Sequence, residues 1–192
     1  MAFFIVLEGL DGVGKTTVAR ALTEDPYYTY LSTPGTELQP LRSAITEGLG
    51  ESQTARALFY AATVQAEGER AAILLQQGKS VVMDRYSAST IAYAKARGVE
   101  IDLDATLSKV IKPDLTILLT LDEQERQRRL AQRGTTAEDQ ETLQPEFRQK
   151  VLTELRQRCD VEIDLTGCDE WKACFYTLLQ FNAFLSTNRS PA

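Results

Sequence analysis

Phe3-Phe4-Ile5-Val6-Leu7-Glu8-Gly9-Leu10-Asp11-Gly12-Val13-Gly14-Lys15-Thr16-Thr17 decides the fold. The apolar run Phe3–Leu7 predicts a strand buried on both faces. It feeds Gly9–Thr16, which has the G-x-x-x-x-G-K-[ST] spacing of a phosphate-binding loop, and the loop opens a helix at Thr17-Val18-Ala19-Arg20-Ala21-Leu22. Glycines let backbone N–H groups wrap around a polyphosphate. The amides of Gly9, Gly12, Val13, Gly14, Lys15, Thr16 and Thr17 are the expected nest for a triphosphate tail, helped by the positive end of the helix. Lys15 reaches the β- and γ-phosphates, and the Thr16 hydroxyl can ligate Mg²⁺. The competing reading is a tight strand-to-helix turn without a ligand.

Composition narrows the classes of function. The 192 residues are 43% hydrophobic and 25% charged, which suits one globular domain over 1–192. Net charge is −6, from 27 acids against 21 bases, and no Lys/Arg-rich block stands out. A nucleic-acid polymer is therefore not the expected partner. No apolar run approaches the ~20 residues of a membrane span. Met1 runs straight into a strand, leaving no room for a signal peptide, so the expected location is cytoplasmic. Cys159, Cys168 and Cys174 are odd in number and lack C-x-x-C spacing, as free thiols in a reducing compartment would be. There is no histidine. Ser-His and Cys-His nucleophiles and His-ligated metals are thereby removed. Phosphoryl transfer survives the loss, because it depends on positioned positive charge and Mg²⁺.

Apolar runs alternate with helical patterns along the chain. Expected strands are Phe3–Leu7, Tyr28–Leu31, Ser80–Met83, Leu115–Leu121 and Val161–Leu165. A long helix is expected over Ser52–Gln77, with Ala55, Phe59, Ala62, Ala66 and Ile73 on its apolar face and Gly78 as its stop. Asp122–Ala131 reads as a polar helix. Pro145 suits the first turn of another, with Phe147, Val151 and Leu155 on one face. Asp169 can cap the last helix, whose expected inner face holds Trp171, Phe175, Leu178 and Leu185. Strands separated by helices predict an α/β fold, a three-layer α/β/α sandwich around a five-stranded parallel sheet. Ligands of such sheets sit beyond the C-terminal strand ends. The polar segment 134–144 interrupts two helices and reads as a mobile flap.

Val81-Val82-Met83-Asp84-Arg85-Tyr86 is an apolar strand ending in charges. In a phosphate-loop protein, Asp84 can organise Mg²⁺ and its waters, or cap the next helix. Arg85 can clamp a second phosphate bidentately.

At this point the sequence resembles a family. Glu8–Thr17 is similar to the opening of thymidylate kinases, as is Asp84-Arg85-Tyr86 followed by Ser89 and Ala92-Tyr93. Leu58-Phe59-Tyr60-Ala61-Ala62 resembles that family's base-stacking helix, and Pro34-Gly35-Thr36 with Leu41-Arg42 its substrate-phosphate loop. Lys112-Pro113-Asp114-Leu115-Thr116 resembles the lead into its fourth strand. The match keeps one register over roughly the first two thirds of the chain. The resemblance implies a nucleoside-monophosphate kinase of the phosphate-loop type. ATP·Mg²⁺ would be the donor, dTMP or a related deoxynucleotide the acceptor, and a homodimer the common assembly.

The resemblance also implies roles. Lys15 and Thr16 would hold the donor phosphates and Mg²⁺, with Asp84 on the metal side. Asp11 would lie near the acceptor sugar and the transferring phosphate. Arg42 and Arg85 would grip the acceptor phosphate. Phe59 would stack on its base, Ser89 would lie close to that base, and Tyr93 would crowd the sugar 2′ position. Substrate-side Thr63 stands where the family has an Arg that reads the thymine edge, and Ala94 where it commonly has Gln. The flap after Arg133-Gly134 lacks the Arg that such kinases carry when their phosphate loop has none. Of Arg126, Arg129 and Arg133, which share one helical face, Arg133 is read as catalytic. The other two are read as solvated partners of Asp122 and Glu125. Two alternatives stay open: a kinase for a nucleoside or other small acceptor, and a nucleotide-binding regulator without turnover.

Overall fold

A computed structural model describes residues 2–188; Met1 and residues 189–192 lie outside it. The five expected strands form, as β1 (Phe4–Glu8), β2 (Tyr28–Ser32), β3 (Ser80–Asp84), β4 (Leu115–Thr120) and β5 (Val161–Asp164). They make one parallel sheet in the order β2-β3-β1-β4-β5. Helices cover both faces, so β1 is apolar on both. Ile5 and Leu7 join one core with Val18 and Leu22 of α1 (Lys15–Leu22), Val151 and Leu155 of α8 (Pro145–Arg156), and Phe181 of α9 (Glu170–Asn188). Phe4 and Val6 join the other with Ala57, Ala61 and Val64 of α3 (Gln53–Gln76) and Ile91 of α4 (Ser87–Ala96). The remaining helices are α2 (Arg42–Gly48), α5 (Leu103–Thr106), α6 (Glu123–Arg133) and α7 (Ala137–Leu143).

Local chemistry sets the element ends. The Ser52 hydroxyl accepts from the Ala55 amide at 3.2 Å to start α3, and Asp122 accepts from Gln124 and Glu125 to start α6. Asp169 accepts from the Lys172 amide, and Pro145 sits in the first turn of α8. The Asp114 carboxylate takes the Phe4 amide at 2.7 Å, which fixes the start of β1 against the lead into β4.

Two helix faces differ from expectation. In α3 the buried stripe is Ala57, Ala61, Val64, Gly68 and Ala71, while Ala62 and Ala66 are exposed and Ile73 is 54% exposed. Small side chains let the helix approach the sheet closely, so the larger apolar residues were the wrong guide to the inner face. In α9 the buried residues are Ala173, Thr177 and Phe181; Trp171 is 70% exposed, and Phe175 and Leu178 also face outward. The Leu185 side chain lies outside the described residues. The segment 134–144 holds a helix, α7, begun by a capping box in which Thr136 and Asp139 each take the other's amide.

Candidate active site

The site lies over the C-terminal ends of β1, β2 and β3. The loop after β1 makes its floor. Gly9, at φ 144°, packs so tightly that a Cβ there would overlap the Leu119 carbonyl of β4. Gly12, at φ 87°, lies flat on Leu130 and Arg126 of α6, within 3.3 Å of where its Cβ would stand. The Lys15 ammonium is buried and donates to the Leu10 carbonyl at 2.7 Å. Burial, followed by repulsion from Arg85, pulls its pKa down to about 8 against the pull of Asp11, Asp84 and Glu8.

The turn after β3 places Arg85. Its backbone sits at φ 65°, a conformation that costs a non-glycine residue on the order of 1 kcal/mol. Neighbours on both sides hold it there. The Arg85 amide donates to the Leu7 carbonyl at 2.9 Å, and its carbonyl accepts from the Thr33 hydroxyl at 2.8 Å. Its guanidinium meets Asp11 at 2.9 Å and donates to the Ser89 hydroxyl at 2.9 Å. Burial alone would raise the Asp11 pKa, but Arg85 and Lys15 hold it well below the carboxylate range.

Beneath this pair lies Glu8, wholly buried at the end of an apolar strand. It accepts from the Tyr86 and Ser89 amides at 2.9 and 3.1 Å and from the Ser89 hydroxyl. It thus caps α4, whose own N-cap residue provides no side-chain cap. Desolvation raises its pKa against those hydrogen bonds. Glu8 was missed as a site residue, although a carboxylate closing a buried apolar strand is a visible signal.

Two cavities adjoin here. The first, with about 990 Å³ of open space, is lined by Gly12, Gly14, Lys15, Thr16 and Thr17 of the loop, with Asp84, Arg129 and Arg133 opposite. The second, about 590 Å³, is lined by Ala57, Tyr60, Ser89, Tyr93, Ala94 and Arg97. Asp11, Thr33, Pro34, Arg42 and Arg85 line both, so the two spaces meet there, with Asp11, Arg42 and Arg85 as the charged side chains. Among the described residues, three of the buried side-chain atoms without a hydrogen-bond partner belong here: Asp84 Oδ1, the Tyr93 hydroxyl and Arg85 Nη2, the last of which meets Asp11 as an ion pair. The other carboxylate oxygen of Asp84 accepts from Thr16 Oγ1 at 2.5 Å.

Comparison with known proteins identifies this arrangement. The profile of the thymidylate kinase family matches residues 7–166. The chain belongs to the thymidylate kinase family. A probable thymidylate kinase of Pyrococcus horikoshii is 41% identical over 151 residues, 71% of this chain and 73% of that one. Another, of Pyrococcus abyssi, is 38% identical over 165 residues, 78% of each chain. The thymidylate kinase of Candida albicans, described as having broad substrate specificity, superposes with a TM-score of 0.75 at 25% identity, covering 95% of this chain and 93% of its own. The protein is thus a phosphotransferase, an ATP-dependent nucleoside-monophosphate kinase of thymidylate kinase type.

Within this thymidylate kinase site, several expected residues stand elsewhere. Gly9 and Val13 line neither cavity; Val13 is core. Phe59 lines neither, and it is Tyr60, 5.1 Å from it ring to ring, that faces the second cavity. Thr63 is buried, and its hydroxyl donates to the Tyr60 carbonyl of its own helix. Arg126 is not solvated: it is 1% exposed and bound to Glu123 instead of Asp122. Arg129 does pair with Glu125, at 2.5 Å, yet also lines the first cavity. Partners unread in the sequence complete the site. Glu138 of α7 accepts from the Arg42 guanidinium at 2.9 Å, Arg97 binds Glu141 at 2.5 Å while lying over the Tyr93 ring, and, on the donor side, Asp139 meets Arg133 at 2.6 Å. The flap carries carboxylates where a cation was sought.

Proposed function

We infer that the first cavity takes the ATP polyphosphate, that the second takes a deoxynucleoside monophosphate with dTMP as its leading acceptor, and that the γ-phosphoryl group crosses between them at Asp11, Arg42 and Arg85. The observation that carries this reading is the shared lining of both cavities by those three residues. The Lys15 ammonium and the backbone amides of Gly12 and of Gly14 to Thr17 cradle the donor phosphates. Arg85, fixed by its backbone contacts and by Ser89, binds the acceptor phosphate together with Arg42. An acceptor phosphate is already ionised near neutral pH, so no strong base is needed, in keeping with a chain that has no histidine. Lys15, Arg85 and Arg133 spread the charge of an in-line transfer. Tyr93, its ring between Arg85 and Arg97 at 5.5 and 5.6 Å, closes the sugar side.

Thr16 and Asp84 fit a hydrated Mg²⁺: a hydroxyl and a carboxylate are hard oxygen ligands, and Asp84 Oδ1 is buried without a partner. The ion would neutralise phosphate charge. Thr63 and Ala94 leave the base edge without a charged or amide reader, which supports relaxed discrimination among pyrimidines. We also read residues 1–192 as one domain with a flap at 134–144, working in the cytoplasm. No helix among the described residues is long and apolar enough to cross a membrane. The outward side of α3, with Leu58 and Ile73 about half exposed, supports a homodimer. Sedimentation of a monomer at all concentrations would remove it.

Incubation with ATP, Mg²⁺ and a panel of dTMP, dUMP, dCMP and thymidine tests the central claim. Diphosphate should form from dTMP, with dUMP and dCMP close behind. Phosphorylation of thymidine alone would overturn the monophosphate reading, and nucleotide binding without any transfer would favour a regulator.

A further inference from the structure

Arg126 is the largest fully buried side chain among the described residues. All five of its N–H groups are used. Nε donates to Glu123 Oε2 at 2.8 Å and Nη2 to Glu123 Oε1 at 2.9 Å. Nη2 also donates to the Thr142 carbonyl at 3.0 Å. Nη1 donates to the Thr142 hydroxyl at 3.1 Å and to the Asp11 carbonyl at 3.0 Å. Glu123 alone would neutralise the charge. The other three bonds run to two other elements, the end of the flap helix and the phosphate loop.

Among the described residues, no other side chain hydrogen-bonds to both of those elements. Gly12 rests on the Arg126 stem, and the preceding residue, Asp11, is held at both ends: its carbonyl by Arg126 and its carboxylate by Arg85. On the flap, Arg148 reinforces the same point, donating to the Thr142 and Leu143 carbonyls at 3.2 and 3.1 Å while meeting Glu123 at 3.2 Å. The C-terminal turn of α7 is thereby pinned. The same helix meets the site through Glu138 on Arg42 and Glu141 on Arg97, at the acceptor cavity, and through Asp139 on Arg133, at the donor cavity. A rigid planar fork suits this joint better than a lysine, since only a fork can serve three elements in one plane.

We propose that Arg126 is a positioning residue that ties the flap to the phosphate loop, so that filling the loop with donor phosphates orders the flap over the acceptor cavity. The proposal rests on the reading of residues 9–17 as the donor site. It gives one buried arginine the task of passing the state of the donor end to the acceptor end.

Hydrogen exchange of the 137–143 amides, with and without Mg²⁺ and the non-hydrolysable analogue AMP-PNP, tests the tie; calorimetry on the same samples measures analogue binding. In the unaltered chain the analogue should slow flap exchange about tenfold or more. Arg126→Met should bind the analogue within about threefold of that chain and lose the slowing. Arg126→Lys should recover part of it. Thr142→Val removes one of the five acceptors and nearly preserves volume; it should give an intermediate loss, and it carries the test if Arg126→Met does not fold. Slowing equal to that of the unaltered chain in either Arg126→Met or Thr142→Val overturns the proposal. Failure of the unaltered chain to bind the analogue overturns the donor reading instead, and the tie with it.

Discussion

The two cavities are built in opposite ways. The donor cavity takes its floor from one short stretch of chain, Gly12 to Thr17, in a loop whose shape is fixed by backbone conformation and by packing onto β4 and α6. The acceptor cavity is assembled from side chains on the loops after β1, β2 and β3, on α2, α3 and α4, and on the flap, and it depends on ion pairs: Arg85 with Asp11, Arg42 with Glu138, Arg97 with Glu141. A backbone cradle tolerates drift in side chains, whereas a side-chain cage can be retuned one substitution at a time. This explains why the donor end keeps its full motif while the acceptor end has Thr63 and Ala94 where thymine readers were expected.

The largest effect should come from the donor end. Lys15→Ala is expected to lower kcat about a thousandfold for every acceptor alike, measured by coupled ADP release. Uneven losses among acceptors would blur the division between the two cavities. Next is Arg85→Ala, which strands Asp11 without its partner; kcat/KM for the acceptor should fall about a hundredfold or more, with ATP affinity changed only a fewfold. Equal losses on both sides would place Arg85 with the donor.

The pH dependence separates the cavities further. Lys15 in the free enzyme titrates near 8, below its ordinary 10.5. Its charge is present below that value and lost above it, so Mg·ATP affinity should fall as pH rises past it, by up to about tenfold per unit. Acceptor affinity, carried by arginines that stay charged, should not follow. A flat ATP affinity to about pH 9.5 would take the lysine charge out of binding.

Smaller effects should sharpen the account of the acceptor end. Glu138→Gln frees Arg42 from a partly exposed pair, so the acceptor KM should drop by about threefold; a rise would make Glu138 a ligand rather than a competitor. Ala94→Gln restores an amide at the cavity wall and should shift the dTMP to dCMP preference by about three- to tenfold. An unchanged ratio in steady-state competition would mean that the base lies elsewhere.

The strands were legible because the chain writes them as continuous apolar runs, and the phosphate loop because its chemistry is contiguous. Asp169 announced its helix as a cap, while Ser52 and Asp122 were read only as the starts of theirs and turn out to cap them. Legibility failed where a face had to be chosen. The inner sides of α3 and α9 are marked by alanine, glycine and threonine, which carry little hydrophobic signal yet set how closely a helix can lie on a sheet. The helix inside the flap was readable: the Thr136 and Asp139 pair has capping-box spacing. Arg126 was not. A charged residue on a polar helix reads as solvated until the elements that bury it are known, and those lie near residues 11 and 142.

The exposed end of α9 has a practical consequence. Trp171 is the sole tryptophan of the chain; it stacks on Phe175 with ring centroids 5.3 Å apart and lines neither cavity. Its intrinsic fluorescence will therefore report the docking and melting of the final helix while staying blind to nucleotide. An optical assay of catalysis in this enzyme needs a second fluorophore, and the ring position at Phe59, in contact with the cavity-lining Tyr60, is the natural place to put one.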